Sequence, residues 1–259
     1  MHIVIGFPSS QVSFKDKTIA ITGASGTLGR SLLRVFHGQG ARLIALSSGQ
    51  EAVKLPDVPD EAIRTVFWKI GEESLLDPLW AEVDILVLNH GINVHGDRST
   101  EALNRSYEVN TFSHWRLLNH FLAVNGSAPN PTGDRSGQPA EGNSPKDQHT
   151  KEIWVNTSEA EVNPAFSPLY ELSKRTLGDW LTLKRLDSPC ILRKLILGPF
   201  RSALNPVGIM DADRVAQQIV TLAQRDVRNI IVTINPLTPL LFPLREALVS
   251  QYFRWFTRA

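Results

Sequence analysis

Short apolar runs alternate with longer stretches of helical period along most of this chain. Lys17-Thr18-Ile19-Ala20-Ile21 is a β-branched run feeding a glycine-rich segment, and it reads as a buried parallel strand. Leu28, Leu32, Leu33 and Phe36 then recur at helical spacing, and Gly38 and Gly40 stop that helix. Arg42–Leu46, Thr65–Trp68 and Asp84–Leu88 repeat the strand pattern, with a helix from about Ser74 to Ala81 before the last of them. A long helix is predicted from about Thr100 to Ala123. Glu152–Val155, Ile191–Leu197 and Asn229–Ile234 read as later strands, and Pro168–Leu183 and Asp211–Ala223 as helices. This alternation implies a doubly wound α/β fold: a parallel sheet between two layers of helices, joined by right-handed crossovers.

Two segments break the rhythm. In residues 125–150 alanine is the only aliphatic type, and Gly, Pro, Ser and Asn dominate. Such a stretch buries too little to offset its ordering entropy, so it reads as a flexible surface insertion. The strand pattern resumes after it, which argues for a single nucleotide-binding domain over 1–259. The second segment, 236–257, is very apolar, with Leu240, Leu241, Leu244, Leu248, Trp255 and Phe256 interrupted by Arg245 and Arg254. It suits a helix over a substrate cleft, an oligomer face, or a basic amphipathic helix lying in a membrane interface. Its charges argue against a membrane span, and no stretch of 18 uncharged apolar residues exists anywhere.

Composition narrows the function classes. A net charge of +1 gives no field suited to nucleic acid. A single cysteine, Cys190, excludes an intramolecular disulfide and a cysteine-based zinc site. Met1–Pro8 is too short for a secretory h-region, so a cytoplasmic setting is expected, with contact to a membrane surface left open. His90, His95, His114 and His120 form no metal-binding spacing, and no metal is expected.

Two motifs carry chemistry. Thr22-Gly23-Ala24-Ser25-Gly26-Thr27-Leu28-Gly29 lies between a strand and an apolar helix. There, backbone N–H groups and the positive helix end can cradle a pyrophosphate. The spacing is TGxxGxxG, not GxGxxG. At the end of the second strand stand Ser47 and Ser48. A carboxylate there would select a free ribose 2′-hydroxyl; its absence tolerates a 2′-phosphate and favours NADP(H), with NAD(H) as the alternative. Arg30, Arg42 and Lys54 are the candidate cations for that phosphate. The second motif is Tyr170-Glu171-Leu172-Ser173-Lys174, which puts a phenol and an ammonium on one helical face. A cation beside the phenol should lower its pKa and suit it to proton exchange with a carbonyl or alcohol.

With both motifs in this order, nearly the whole chain resembles the short-chain dehydrogenase/reductases. The resemblance implies a Rossmann-type sheet of about seven strands. It assigns Gly23, Ser25, Gly26, Thr27, Leu28 and Gly29 to the cofactor turn. Leu88-Asn89-His90-Gly91 is similar to the family's Asn-Asn-Ala-Gly segment around the cofactor, departing at Leu88 and His90. Asn110 falls where the family has the asparagine of an Asn-Ser-Tyr-Lys tetrad and implies support for a proton-relaying water. Tyr170 becomes the general acid/base and Lys174 the holder of the nicotinamide ribose. Gly198-Pro199 inverts the family's Pro-Gly pair after the sixth strand. Ile70 takes the place near adenine where an acid is usual. The substrate-holding serine is displaced by one residue: Ser158 and Thr157 are both candidates, and a third possibility is that no hydroxyl serves.

The implied function is an NADP-dependent oxidoreductase that interconverts a carbonyl and an alcohol on a hydrophobic small molecule, in a homo-oligomer. The alternative is a nucleotide-binding sensor or scaffold with little turnover, attached to a membrane lipid-modifying system.

Overall fold

A computed structural model of the protein describes residues 12–126 and 150–258. The stretch Met1–Pro8 and nearly all of the expected insertion lie outside the described residues; Asn125 itself closes a helix. The elements are β1 (Thr18–Thr22), α1 (Thr27–Gly38), β2 (Arg42–Ser47), β3 (Ile63–Phe67), α2 (Asp77–Trp80), β4 (Ile85–Leu88), α3 (Thr100–Tyr107), α4 (Ser113–Asn125), β5 (Glu152–Asn156), α5 (Pro168–Lys184), β6 (Ile191–Leu197), α6 (Ala212–Gln224), β7 (Asn229–Val232) and α7 (Thr238–Phe256).

The seven strands are all parallel, in the order β3-β2-β1-β4-β5-β6-β7. Ile19 sits opposite Leu43 on one side and Ile85 on the other, which fixes β1 at the centre. Successive strand residues face opposite layers. Ile19 and Ile21 pack with Leu32, Phe36 and Ile219 of α1 and α6. Ala20 packs with Trp80, Phe121 and Leu177 of α2, α4 and α5. Both faces being covered explains why the strands read as continuous apolar runs. The strand order reverses between β1 and β4, so a crevice opens there at the carboxyl ends of the strands, where ligands bind in open sheets.

The doubly wound sheet matches the sequence reading, and the differences have local causes. The helix expected over 100–123 is two helices joined by a wide π-turn at Glu108–Phe112. That turn brings Asn110 and Thr111 onto α5 together: Asn110 Nδ2 donates to Ser173 Oγ (3.1 Å), and Thr111 Oγ1 donates to the Ser173 carbonyl (2.8 Å). The helix expected at 74–81 is a 3-10 turn, Glu73–Leu76, followed by the single turn of α2. The third strand begins at Ile63, paired with Leu43, and Trp68 turns inward beyond its end. The last strand stops at Val232, because Thr233 turns its hydroxyl to Glu159 (2.6 Å).

One charged pair sits inside the sheet. Arg193 of β6 is buried and grips Glu152 of β5 through two bonds, 2.8 and 3.0 Å, while Trp154 Nε1 donates to the same carboxylate at 2.6 Å. Removing one partner of a buried pair strands the other charge. Glu152→Ala should therefore cost about 3–5 kcal/mol of stability, read as a lower urea midpoint at unchanged slope. A midpoint equal to the native one would show that the remaining Asp226 contact to Arg193 suffices.

Candidate active site

The glycine turn follows β1, and each glycine has its own reason. Gly23 holds φ at +61°, and a Cβ there would come within 2.9 Å of the His90 Cα. Gly26 N–H donates to the Gly23 carbonyl (3.0 Å), closing the turn. A Cβ on Gly29 would lie 2.3 Å from that same carbonyl oxygen. α1 starts with Gly26 as N-cap, no side chain caps it, and its first turn has no acid. This is the geometry of an anion cradle, and the residues present fit a dinucleotide pyrophosphate. Ser25 and Thr27 are exposed beside it, lining a cleft of about 500 Å³ with Arg30 and Arg201. Leu28 corrects the sequence reading in part. Its side chain is buried in the core against α6, so it offers the cleft only backbone.

The ribose end is also sharpened. Ser47 is buried and its Oγ accepts from Gly49 N–H (3.1 Å), whereas Ser48 is exposed. Arg42 stands at the start of β2, the opposite end of the strand, and its Nε donates to Thr18 Oγ1; it cannot reach a phosphate at Ser48. Arg30 is held next to the glycine turn by bonds to the Ser25 and Lys54 carbonyls, 2.9 and 3.0 Å. Lys54 is paired with Asp60. Ile70 is partly exposed beyond the end of β3.

After β4, the backbone N–H of Asn89 donates to Thr22 Oγ1 (2.9 Å), tying the strand end to the glycine turn. Asn156, at the end of β5, donates its amide to Asn89 Oδ1 (3.0 Å). Gly91 passes so close to Asn110 that a Cβ would sit 3.1 Å from its Oδ1. Asn110 is fully buried. Its Oδ1 accepts from Ile92 N–H (2.9 Å) and its Nδ2 donates to the Ile92 carbonyl (3.0 Å). The side chain therefore clamps the β4 loop onto α5.

Tyr170, Lys174 and Ser158 lie near one another at the end of β5 and the start of α5. The Ser158 hydroxyl stands close enough to the Tyr170 phenol to lower its pKa, and it accepts from Ala160 N–H (3.2 Å). Thr157 turns away, donating to the Leu195 carbonyl of β6 (3.3 Å), so the geometry selects Ser158. Lys174 is buried. Its Nζ donates to the Asn156 carbonyl (2.8 Å) and lies 5.9 Å from the Tyr170 ring centre. The electrostatics correct one expectation. Burial raises the Tyr170 pKa, opposed by the Ser158 hydroxyl, so the phenol is held protonated; no lowering comes from the lysine. The lysine is the group that moves down, to about 8, through burial, opposed by the charge of Glu161.

Several residues here escaped the sequence reading. Asn156 and Ser173 are polar side chains at an apolar strand end and next to Lys174, a signal that was available. Glu161 was not recognisable: it is buried behind Lys174, ion-paired to Lys194 (3.6 Å) and Arg245 (3.5 Å), and a Cβ at Gly178 would fall 2.2 Å from its Oε2. Gly198 is a packing position, where a Cβ would meet Thr233 Oγ1 at 2.4 Å. The histidines separate. His90 stacks on the buried His114 at 3.9 Å, with Nδ1 2.8 Å from Thr22 Oγ1, whereas His120 pairs with Asp77 (2.9 Å). Burial holds both stacked imidazoles neutral, His90 down to about 3. Among the described residues, no cluster of three or more His, Cys, Asp or Glu side chains could hold a metal ion.

Comparison with known proteins adds four findings. Residues 19–128 match the NAD dependent epimerase/dehydratase family. Over 250 residues, 95% of this chain, the sequence is 56% identical to the monoglucosyldiacylglycerol epimerase of Synechocystis sp., and it spans 56% of that protein's length. In fold it is similar to a short chain dehydrogenase from Burkholderia cenocepacia in complex with NADP, with a TM-score of 0.69 at 16% identity, covering 95% of this chain and 100% of that one. A short chain dehydrogenase from Leptospira borgpetersenii with bound NAD+ gives a TM-score of 0.65 at 18% identity, covering 91% and 96%.

Two outcomes follow from this geometry. Gly29→Ala should weaken dinucleotide binding by at least about tenfold, because the turn must open to admit the methyl group; fluorescence titration with NADPH and NADH reads it, and an unchanged Kd would remove the turn from the cofactor site. The stacked histidines give a pH dependence. The unfolded chain takes up protons near 6.5 and the folded His90 only near 3, so the unfolded state binds more protons in between. Stability should be full above about 6.5 and fall as pH drops toward about 3. His114→Phe should flatten the fall of Tm between about pH 6.5 and 5, and an unchanged slope would assign the acid sensitivity elsewhere.

Proposed function

We propose that the chain is a short-chain dehydrogenase/reductase and, within that family, an NAD(P)-dependent epimerase acting on the sugar of a glycolipid. The observation that carries the reading is the 56% identity, over 95% of the chain, to an enzyme named for epimerising monoglucosyldiacylglycerol. Within this reading, the carbonyl–alcohol interconversion expected from the sequence is one half of the cycle. A secondary alcohol is oxidised to a ketone, and the ketone is reduced from its other face.

The cofactor, when bound, supplies the hydride acceptor and donor. The backbone of the turn from Gly23 to Gly29 would hold its pyrophosphate, Ser48 with Arg30 its adenosine ribose, and Lys174 the nicotinamide ribose. NADP(H) is the favoured form, since β2 ends in no carboxylate. Ser158 holds the reacting oxygen of the sugar. Tyr170 receives the proton of that hydroxyl in the oxidative half and returns it in the reductive half, so its own balance is restored each cycle. The phenolate therefore opens and closes the cycle, favoured by the Ser158 hydroxyl, and the phenol stands between the two half-reactions, while Lys174 is fixed on the Asn156 carbonyl beside it. Asn110 acts as a positioning residue, since both ends of its amide are used to seat the β4 loop.

The test is turnover of monoglucosyldiacylglycerol in detergent micelles with NADP+ or NAD+, followed by release and analysis of the sugar. Tyr170→Phe should lower kcat by about 10²–10⁴-fold and leave cofactor affinity nearly unchanged. Ser158→Ala should lower it less. A native protein that binds the dinucleotide and inverts no sugar would favour the sensor reading instead.

A further inference from the structure

Large apolar side chains crowd one edge of the molecule. The loop from Ser158 to α5 presents Phe166, 97% exposed and held at φ 56°, a backbone conformation that bulky residues rarely adopt. The loop after β6 presents Val207 and Ile209, 86% and 74% exposed. Ile234 and Leu237 follow β7. Because the strands are all parallel, these loops rise from the same carboxyl edge as the catalytic side chains, and they ring the substrate end of the crevice.

α7 continues this surface. Only Thr238, Phe242 and Glu246 are buried in it, a single stripe at four-residue spacing. That stripe is fixed by polar contacts. Asn163 donates to Thr238 Oγ1 (2.8 Å), Thr238 donates to Glu159 Oε2 (3.1 Å), and Lys194 donates to Glu246 (2.7 Å). Glu159 is the neighbour of Ser158, so the helix is anchored directly on the site loop. Along its outer arc Leu240, Leu244, Leu248, Tyr252, Trp255 and Phe256 stand exposed. The only acid from Pro236 to Ala259 is Glu246, which is pinned against Lys194, while Arg254 and Arg258 are exposed among the aromatic residues.

We infer that this continuous face, from the loops around the crevice along α7, seats the protein on the surface of a lipid bilayer that carries anionic headgroups. Apolar side chains beside exposed arginines suit the headgroup boundary, where the former enter the acyl layer and the latter meet negative charge. A protein partner seated here would cover the mouth of the crevice. A bilayer seated here would present a glycolipid sugar to Ser158 and Tyr170 while its acyl chains stay in the membrane. Among the described residues no helix is long and apolar enough to cross a membrane, so the contact is one of surface. The inference rests on the glycolipid reading for its orientation but not for its measurement.

Flotation with vesicles of phosphatidylcholine, with and without about one third phosphatidylglycerol, tests it. The native protein should float, more strongly with the anionic lipid and less in high salt. Val207→Ser/Ile209→Ser and Leu244→Ser/Leu248→Ser should each lower the floated fraction at least about tenfold. Both double variants should keep the native Tm and NADPH affinity, and Leu244→Ser/Leu248→Ser, away from the crevice, should also keep turnover in micelles. A native protein that stays with the unbound fraction, or variants that float like it, would overturn the inference. So would variants that convert a dimer into a monomer with flotation unchanged, which would make the face a contact between copies. Absence of sugar inversion in micelles would sink the epimerase reading alone, since flotation is scored without turnover.

Discussion

A buried ammonium organises the half of this molecule that carries Tyr170 and Ser158. Lys174 sits inside the protein, and a cation there must find acceptors or lose its proton. The Asn156 carbonyl supplies one acceptor, and this sets the end of β5 against α5. Glu161 supplies the opposing charge from behind, and it can approach only because Gly178 has no side chain. The turn that carries Glu161 begins at Ser158, so positioning the carboxylate also aims the serine at Tyr170. One charge balance thus fixes the lysine, the serine and, through their shared helix, the tyrosine.

The same balance reaches the far helix. Lys194 lies between Glu161 and Glu246, and Arg245 pairs with both Glu161 and Asp179. α7 is therefore held by ionic and polar contacts on a narrow stripe instead of by a broad apolar seam. Its leucines, with Tyr252, Trp255 and Phe256, are left outward as a consequence. In an ordinary surface helix the apolar face turns to the core; here the core side is taken by charge, and the apolar side is available to something outside the chain.

The cofactor half depends on backbone instead of charge. Thr22, Gly23 and Gly29 allow β1, the β4 loop and α1 to approach within contact distance. Asn110 and Asn89 then tie that loop to α5 and β5. The crevice between β1 and β4 is closed on one side by glycines and on the other by amides. Burial keeps the His90–His114 stack beneath it neutral, and a charge there would face Lys174.

Much of this was legible from the chain alone. The apolar runs announced the parallel sheet, because strands buried on both faces must be apolar throughout. The glycine turn and the Tyr170–Lys174 pair were legible because each depends on local spacing: a turn of eight residues, and one turn of a helix. Folding decided what depends on distant partners. Whether Ser158 or Thr157 faces Tyr170 turned on a one-residue shift in a loop, where strand pairing with β6 claims Thr157. That Tyr170 has a raised pKa and Lys174 a lowered one follows from burial, which spacing does not reveal. Leu28 and Gly198 lie in motif positions, yet packing gives them structural work. Glu161, nine residues before Tyr170 and packed against Gly178, became part of the site only through tertiary contact. Local pattern determined which elements and motifs exist; long-range packing and desolvation decided which side chains meet and what charge each one carries.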